Sequence, residues 1–95
     1  MHTFTFHSDA GHGWVEVPLA VLKDLGIADK ITSYSYMRTC TRDGVTAYLE
    51  EDCDAGTFLK AYTAKHGTKP DFTEDWTEYS FIRNLWSYAY TEGGE

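Results

Sequence analysis

Residues 2–7, His2-Thr3-Phe4-Thr5-Phe6-His7, alternate strictly between polar and aromatic side chains. A period of two is the spacing of a strand with one buried face, so Phe4 and Phe6 should point inward and the threonines outward. Asp9-Ala10-Gly11-His12-Gly13 is dense in turn formers, with Gly11 and Gly13 read as positive-φ positions. Trp14-Val15-Glu16-Val17 then resumes the alternation, which predicts a hairpin with Val15 and Val17 facing the core.

Pro18 suits the first position of a helix, and Leu19, Leu22 and Leu25 recur along one stripe before Gly26 ends it. Ser33 to Thr39 sets Tyr34 and Tyr36 against serines, Arg42-Asp43-Gly44 turns, and Val45 to Glu51 alternates Val45, Ala47 and Leu49 against Thr46, Tyr48 and Glu50, a second hairpin. Asp52 or Asp54 is placed to cap a second helix, whose face is Ala55, Phe58, Leu59 and Tyr62 and whose left-handed terminus is Gly67. After Pro70, residues 72–77 read as an edge strand of mixed polarity. Residues 81–86 fit one helical turn, and residues 86–90 alternate like a strand. The order ββαββα plus a C-terminal strand predicts an α+β domain over residues 1–90, with a mostly antiparallel sheet and both helices on one face. Residues 91–95, Thr91-Glu92-Gly93-Gly94-Glu95, read as a flexible tail.

A chain of 95 residues holds one core, and its three Trp, seven Tyr and five Phe supply the area such a core needs. Tyr34, Tyr36, Tyr48, Tyr62, Trp76, Tyr79, Trp86, Tyr88 and Tyr90 are more aromatics than so small a core hides, so some should lie at the surface. Fifteen acidic against eight basic residues give a net charge of −7, and the basic residues are scattered rather than clustered. That balance argues against direct nucleic-acid or anionic-membrane binding and for a basic partner. No stretch approaches the roughly 18 apolar residues of a membrane span. Cys40 and Cys53 follow no secretory signal pattern, so both read as reduced thiols in a cytoplasmic protein.

Three constellations bear chemistry. His7, Asp9 and His12 carry nitrogen and oxygen donors suited to zinc or another divalent metal, with Cys53 or the Glu50-to-Asp54 segment completing the set; against that, Asp9 suits a turn acceptor and His12 a solvated position. Glu50-Glu51-Asp52-Cys53-Asp54 is the densest acidic run, with Glu74, Asp75 and Glu78 as a second cluster. These seven carboxylates, Glu50, Glu51, Asp52, Asp54, Glu74, Asp75 and Glu78, are the candidate partner-binding residues, and the first run also fits a helix N-terminus. Cys53 beside His7 or His12 has the atoms of a nucleophile pair, but the neighbouring carboxylates oppose a thiolate, so a buried, inert thiol is expected. No nucleophile elbow or phosphate loop is present, and no cofactor is expected.

The stretches FTFHSDAGHGWVEV (residues 4–17), LGIADKI (25–31), SYSY (33–36) and YLEEDCDA (48–55) resemble a family of small uncharacterised bacterial and phage proteins. The resemblance implies a compact cytoplasmic protein of a bacterial cell, encoded by a phage or another mobile element. By analogy it points to a non-enzymatic protein-binding module that inhibits a host defence complex through an acidic and aromatic surface. A metal-binding protein or metal-dependent enzyme using His7, Asp9 and His12 is the alternative. A homodimer through the edge strand near Phe72 to Thr77 is the third reading.

Overall fold

A computed structural model of the chain describes residues 3–41 and 44–90, apart from the side chains of Cys40 and Thr41. His2, the Arg42-Asp43 turn and the 91–95 tail, all assigned above, lie outside the described residues. The N-terminal alternation forms β1 (Thr3–Ser8), antiparallel to β2 (Gly13–Pro18) with Phe6 opposite Val15 and His7 opposite Trp14. A short helix α1 (Leu19–Asp24) and a 3-10 turn (Ala28–Lys30) lead to the second hairpin, β3 (Tyr36–Thr41) and β4 (Gly44–Glu50). Helix α2 (Asp54–His66), β5 (Asp71–Trp76), a second 3-10 turn (Phe81–Asn84) and β6 (Trp86–Ser87) complete the order.

The architecture is α+β, and the six-stranded sheet runs β5-β1-β2-β4-β3-β6. It is mixed rather than purely antiparallel, because β5 at the edge pairs in parallel with β1, from Thr3 opposite Asp71 to Ser8 opposite Trp76. A tight turn reverses the chain, whereas a helix carries it back to the end where it started and makes the next strand parallel. The 13 residues of α2 reach about 20 Å, enough to span the roughly 14 Å from β4 across β2 and β1 to that edge.

Period two on β1, β2 and β4 puts Phe4, Val15, Val17, Ala47 and Leu49 on one face, where they pack against Leu22 of α1 and Phe58 and Tyr62 of α2. Both helices therefore cover the same face. Phe4 meets Phe58 edge-on at 5.0 Å and Tyr62 at 5.9 Å between ring centroids. The α1 stripe holds, with Leu22 buried and Leu19 and Leu25 packed against the core, although Pro18 sits at the N-cap rather than the first helical position. Gly67 ends α2 in the left-handed region at φ 78.

Neither Asp52 nor Asp54 caps α2: Cys53 occupies the N-cap with no side-chain cap bond. Asp54, the first helical residue, turns its carboxylate inward, where it accepts hydrogen bonds from Thr32 N (3.0 Å), Thr32 Oγ1 (2.8 Å) and Ser35 Oγ. Ser35 Oγ accepts in turn from Glu50 N at 3.0 Å. Gly11 and Gly13 also differ from expectation, since among the described glycines positive φ occurs at Gly26, Gly44 and Gly67. Their requirement is room: a Cβ at Gly13 would lie 2.5 Å from the Phe6 ring, and one at Gly11 would lie 2.9 Å from Arg83 Nη2. Among the described residues no helix is long and apolar enough to cross a membrane.

Candidate functional site: an aromatic pocket on the helix-free face

The alternation that sends Val15 and Val17 to the helices sends Trp14 and Glu16 to the other face, beside Tyr48 and Glu50 of β4 and Tyr36 of β3. The C-terminal 3-10 turn covers part of this face, packing Ile82 against Trp14 and Tyr48 as a second, smaller core. Two zones result. In the first, His7 is buried, donates from Nε2 to Glu16 Oε1 at 2.6 Å and lies 3.7 Å from Asp75 through Nδ1. Its ring packs edge-on against Tyr48 and Phe81, and Arg38 lies 4.8 Å over the Phe81 ring. Burial first, and then the Glu16 charge, push the Tyr48 hydroxyl up.

The second zone is a pocket of about 430 Å³ lined by His12, Trp14, Tyr34, Tyr36, Glu50, Cys53 and Arg83. Trp14 is 2% exposed, and among the described residues its indole Nε1 has no hydrogen-bond partner. Tyr36 stands edge-on to Trp14 at 6.3 Å, and Tyr34 is 73% exposed at the rim.

The Arg83 wall is fixed by Asp9 through a bidentate pair, Nε to Oδ2 at 2.6 Å and Nη2 to Oδ1 at 2.8 Å. Asp9 also accepts from the backbone N–H groups of Gly11, His12 and Ser80. The Arg83 hydrogen bonds, ahead of those backbone donors, hold the Asp9 carboxyl well below the usual carboxylate range, and Asp9 in turn pushes Arg83 up. The guanidinium lies 5.6 Å over the Trp14 ring and 5.5 Å over the Tyr79 ring. Asp9 balances Arg83, and Glu50 is the carboxylate among the pocket's lining residues; its Oε1 accepts from Asp52 N at 3.0 Å, and His12 Nδ1 lies within ion-pair distance of its Oε2, at 3.9 Å.

The proposed metal triad does not converge. His7 is turned to Glu16, Asp9 is spent on Arg83 and the turn, and His12 lies at the pocket; among the described residues no group of three or more His, Cys, Asp or Glu side chains is placed to hold a metal ion. Cys53 is exposed rather than buried, and desolvation followed by the Asp54 carboxylate push its thiol up, so it is not prepared as a nucleophile. Of the acidic residues, Glu51, Asp52, Glu74, Asp75 and Glu78 are exposed and Glu50 lines the pocket, whereas Asp54 is 1% exposed and cannot meet a partner directly. Ser8 pairs with both Gly13 and Trp76, and Glu51 N bonds Gly13 O, so the two acidic runs flank the 9–12 loop at one end of the sheet.

The pocket as a unit was not read from sequence. The alternation of β2 places Trp14 and Glu16 together on the face opposite the valines, a signal available in the pattern, but nothing local marks Arg83 as the partner of Asp9. Comparison with protein-family models, curated proteins and solved structures gives no match.

Proposed function

We propose that the chain is a non-enzymatic protein-binding module that meets a basic partner protein with the acid-rich end of its sheet and the aromatic pocket beside it. The observation that carries this reading is the pocket's make-up: Trp14, Tyr34 and Tyr36 line it, and Glu50 is the carboxylate among its lining residues while Arg83 is already paired with Asp9. Aromatic faces and a carboxylate both attract cations, and Tyr and Trp supply binding area at low entropic cost. Exposed Tyr79 extends the same aromatic surface over Arg83, while Glu51 and Asp52 add negative charge at the strand-to-helix junction. The stretches that resemble small bacterial and phage proteins contain Trp14, Tyr34, Tyr36 and Glu50, which makes a host-cell protein the partner of this reading. A defence complex with a basic nucleic-acid groove is one such partner.

Calorimetric titration with octa-arginine, a minimal basic partner, tests the reading. Binding is expected at low salt and should weaken as salt rises. The Glu50→Gln/Glu51→Gln variant, which keeps side-chain size and removes two charges, should bind less tightly and with a shallower salt dependence. Unchanged affinity and salt dependence in that variant would overturn the assignment of the surface.

A further inference from the structure

We propose that the pocket receives one arginine side chain of the partner, its guanidinium stacked on Tyr34 and Tyr36 and paired with Glu50. This inference rests on the binding-module reading and narrows it to one residue type. Three features of the site converge on it.

First, the charge balance selects a cation. Arg83 already gives two of its N–H groups to Asp9, and Glu50 remains opposite it, so an anion entering the pocket would meet a balanced pair on one side and a carboxylate on the other. Second, three aromatic side chains line it, and aromatic rings favour a planar, weakly hydrated cation over a compact ammonium. Third, of the two Glu50 carboxylate oxygens, Oε1 accepts from Asp52 N, while Oε2 has no hydrogen bond among the described residues and lies 3.9 Å from His12 Nδ1, so it can accept a charge-assisted bond.

The molecule reports on its own pocket, because it has three tryptophans and thus three indole N–H signals in a proton–nitrogen correlation spectrum. Trp14 is buried in the second core, so its signal is best identified by difference, through Trp76→Phe and Trp86→Phe at exposed positions. Titration with N-acetyl-arginine amide should move the Trp14 signal saturably. Glu50→Gln should weaken that binding about tenfold, and Tyr34→Ala, at an exposed position that leaves the fold intact, several-fold. N-acetyl-citrulline amide, the uncharged isostere, should bind at least about tenfold more weakly. Equal binding of the citrulline probe would overturn the cation assignment, and tighter binding of N-acetyl-lysine amide would overturn arginine in favour of an ammonium. A Trp14 shift produced by acetate or phosphate alone would overturn both by showing an anion site at Arg83. If octa-arginine binds while the Trp14 signal stays still, the pocket assignment falls and the module reading stands; if octa-arginine also fails to bind, both fall.

Discussion

Replacing Asp54 by alanine tests whether the buried carboxylate, rather than a helix cap, joins the two halves of the fold. The side chain is 1% exposed and accepts from three donors on the 32–35 turn, two on Thr32 and one on Ser35. A hydrogen bond to a charged group contributes about 1.5–3 kcal/mol, but half-buried Thr32 recovers part of its loss from water. Ser35 is fully buried and recovers nothing, so about 3–5 kcal/mol is expected in total, similar to the cost of removing one partner from a buried charged pair. Against a typical domain stability of about 5–15 kcal/mol that is a large share. It corresponds to a fall in Tm of at least about 12 °C for a chain of this size. Urea unfolding followed by circular dichroism measures it, with Asp52→Ala, at an exposed neighbour, as the control expected to change stability by less than about 0.5 kcal/mol. A double-mutant cycle with Ser35→Ala should show coupling, because Ser35 Oγ also holds Glu50 N. If Asp54→Ala costs less than about 1 kcal/mol, or no more than Asp52→Ala, the argument for a buried node is wrong.

Phe58→Ala should destabilise by about 3–5 kcal/mol in the same urea assay, because Phe58 is fully buried against Phe4 and Tyr62, whereas Phe72→Ala on the exposed edge strand should change little. The Asp9 carboxyl is held below its unfolded value of about 3.9, so its stabilisation is fully present above that pH and is lost as pH falls below it; between pH 7 and strongly acidic solution Asp9→Asn should show a smaller decline in urea midpoint than the parent chain. Burial pushes the Tyr88 hydroxyl up to about 12 while it donates to Ala28 O at 2.6 Å, so its stabilisation is complete below about pH 10 and is lost as pH rises toward 12; Tyr88→Phe should flatten the alkaline limb of the same curve. Addition of a chelator should leave Tm unchanged, since the core is made of packed apolar and aromatic side chains; a drop of several degrees restored by zinc would refute that.

The elements legible in the sequence were those whose pattern repeats locally. The alternation of residues 2–7 over its described part, the Leu19-Leu22-Leu25 stripe, the Phe58-Tyr62 face and the Gly67 stop each depend on neighbours within a few positions, and each lies where the pattern puts it. Alternation left open what would cover the second face, because it assigns a side and not a partner. Trp14 and Tyr48 are buried there in part because Ile82 arrives from far along the chain. The edge strand itself was legible but its direction was not: that β5 runs parallel to β1 follows from α2 carrying the chain back to the end where β4 began, not from the residues of β5. Asp54 shows the limit of reading acids at a helix start as caps, since the same position serves equally well as an acceptor for a turn packed across from it.

The candidate site is a product of those long-range choices. Trp14 and Glu50 sit on adjacent strands and are brought together by the register that sets them opposite each other. Arg83 reaches them only through its bidentate bond to Asp9, 74 positions earlier in the chain. That bond needs both halves of the β1–β2 loop: Asp9 accepts from Gly11 and His12, which fixes the loop, and Gly11 has no side chain to block the guanidinium. The pair therefore both closes the pocket and cancels the positive charge that would otherwise face Glu50. An Arg83→Met substitution would keep much of the packing over Trp14 and Tyr79 but leave the buried Asp9 carboxylate without its cation. The pocket would become more negative as its wall loosened, and a loss of binding there despite the more favourable charge would show that the position of the wall, more than its charge, determines what the pocket accepts.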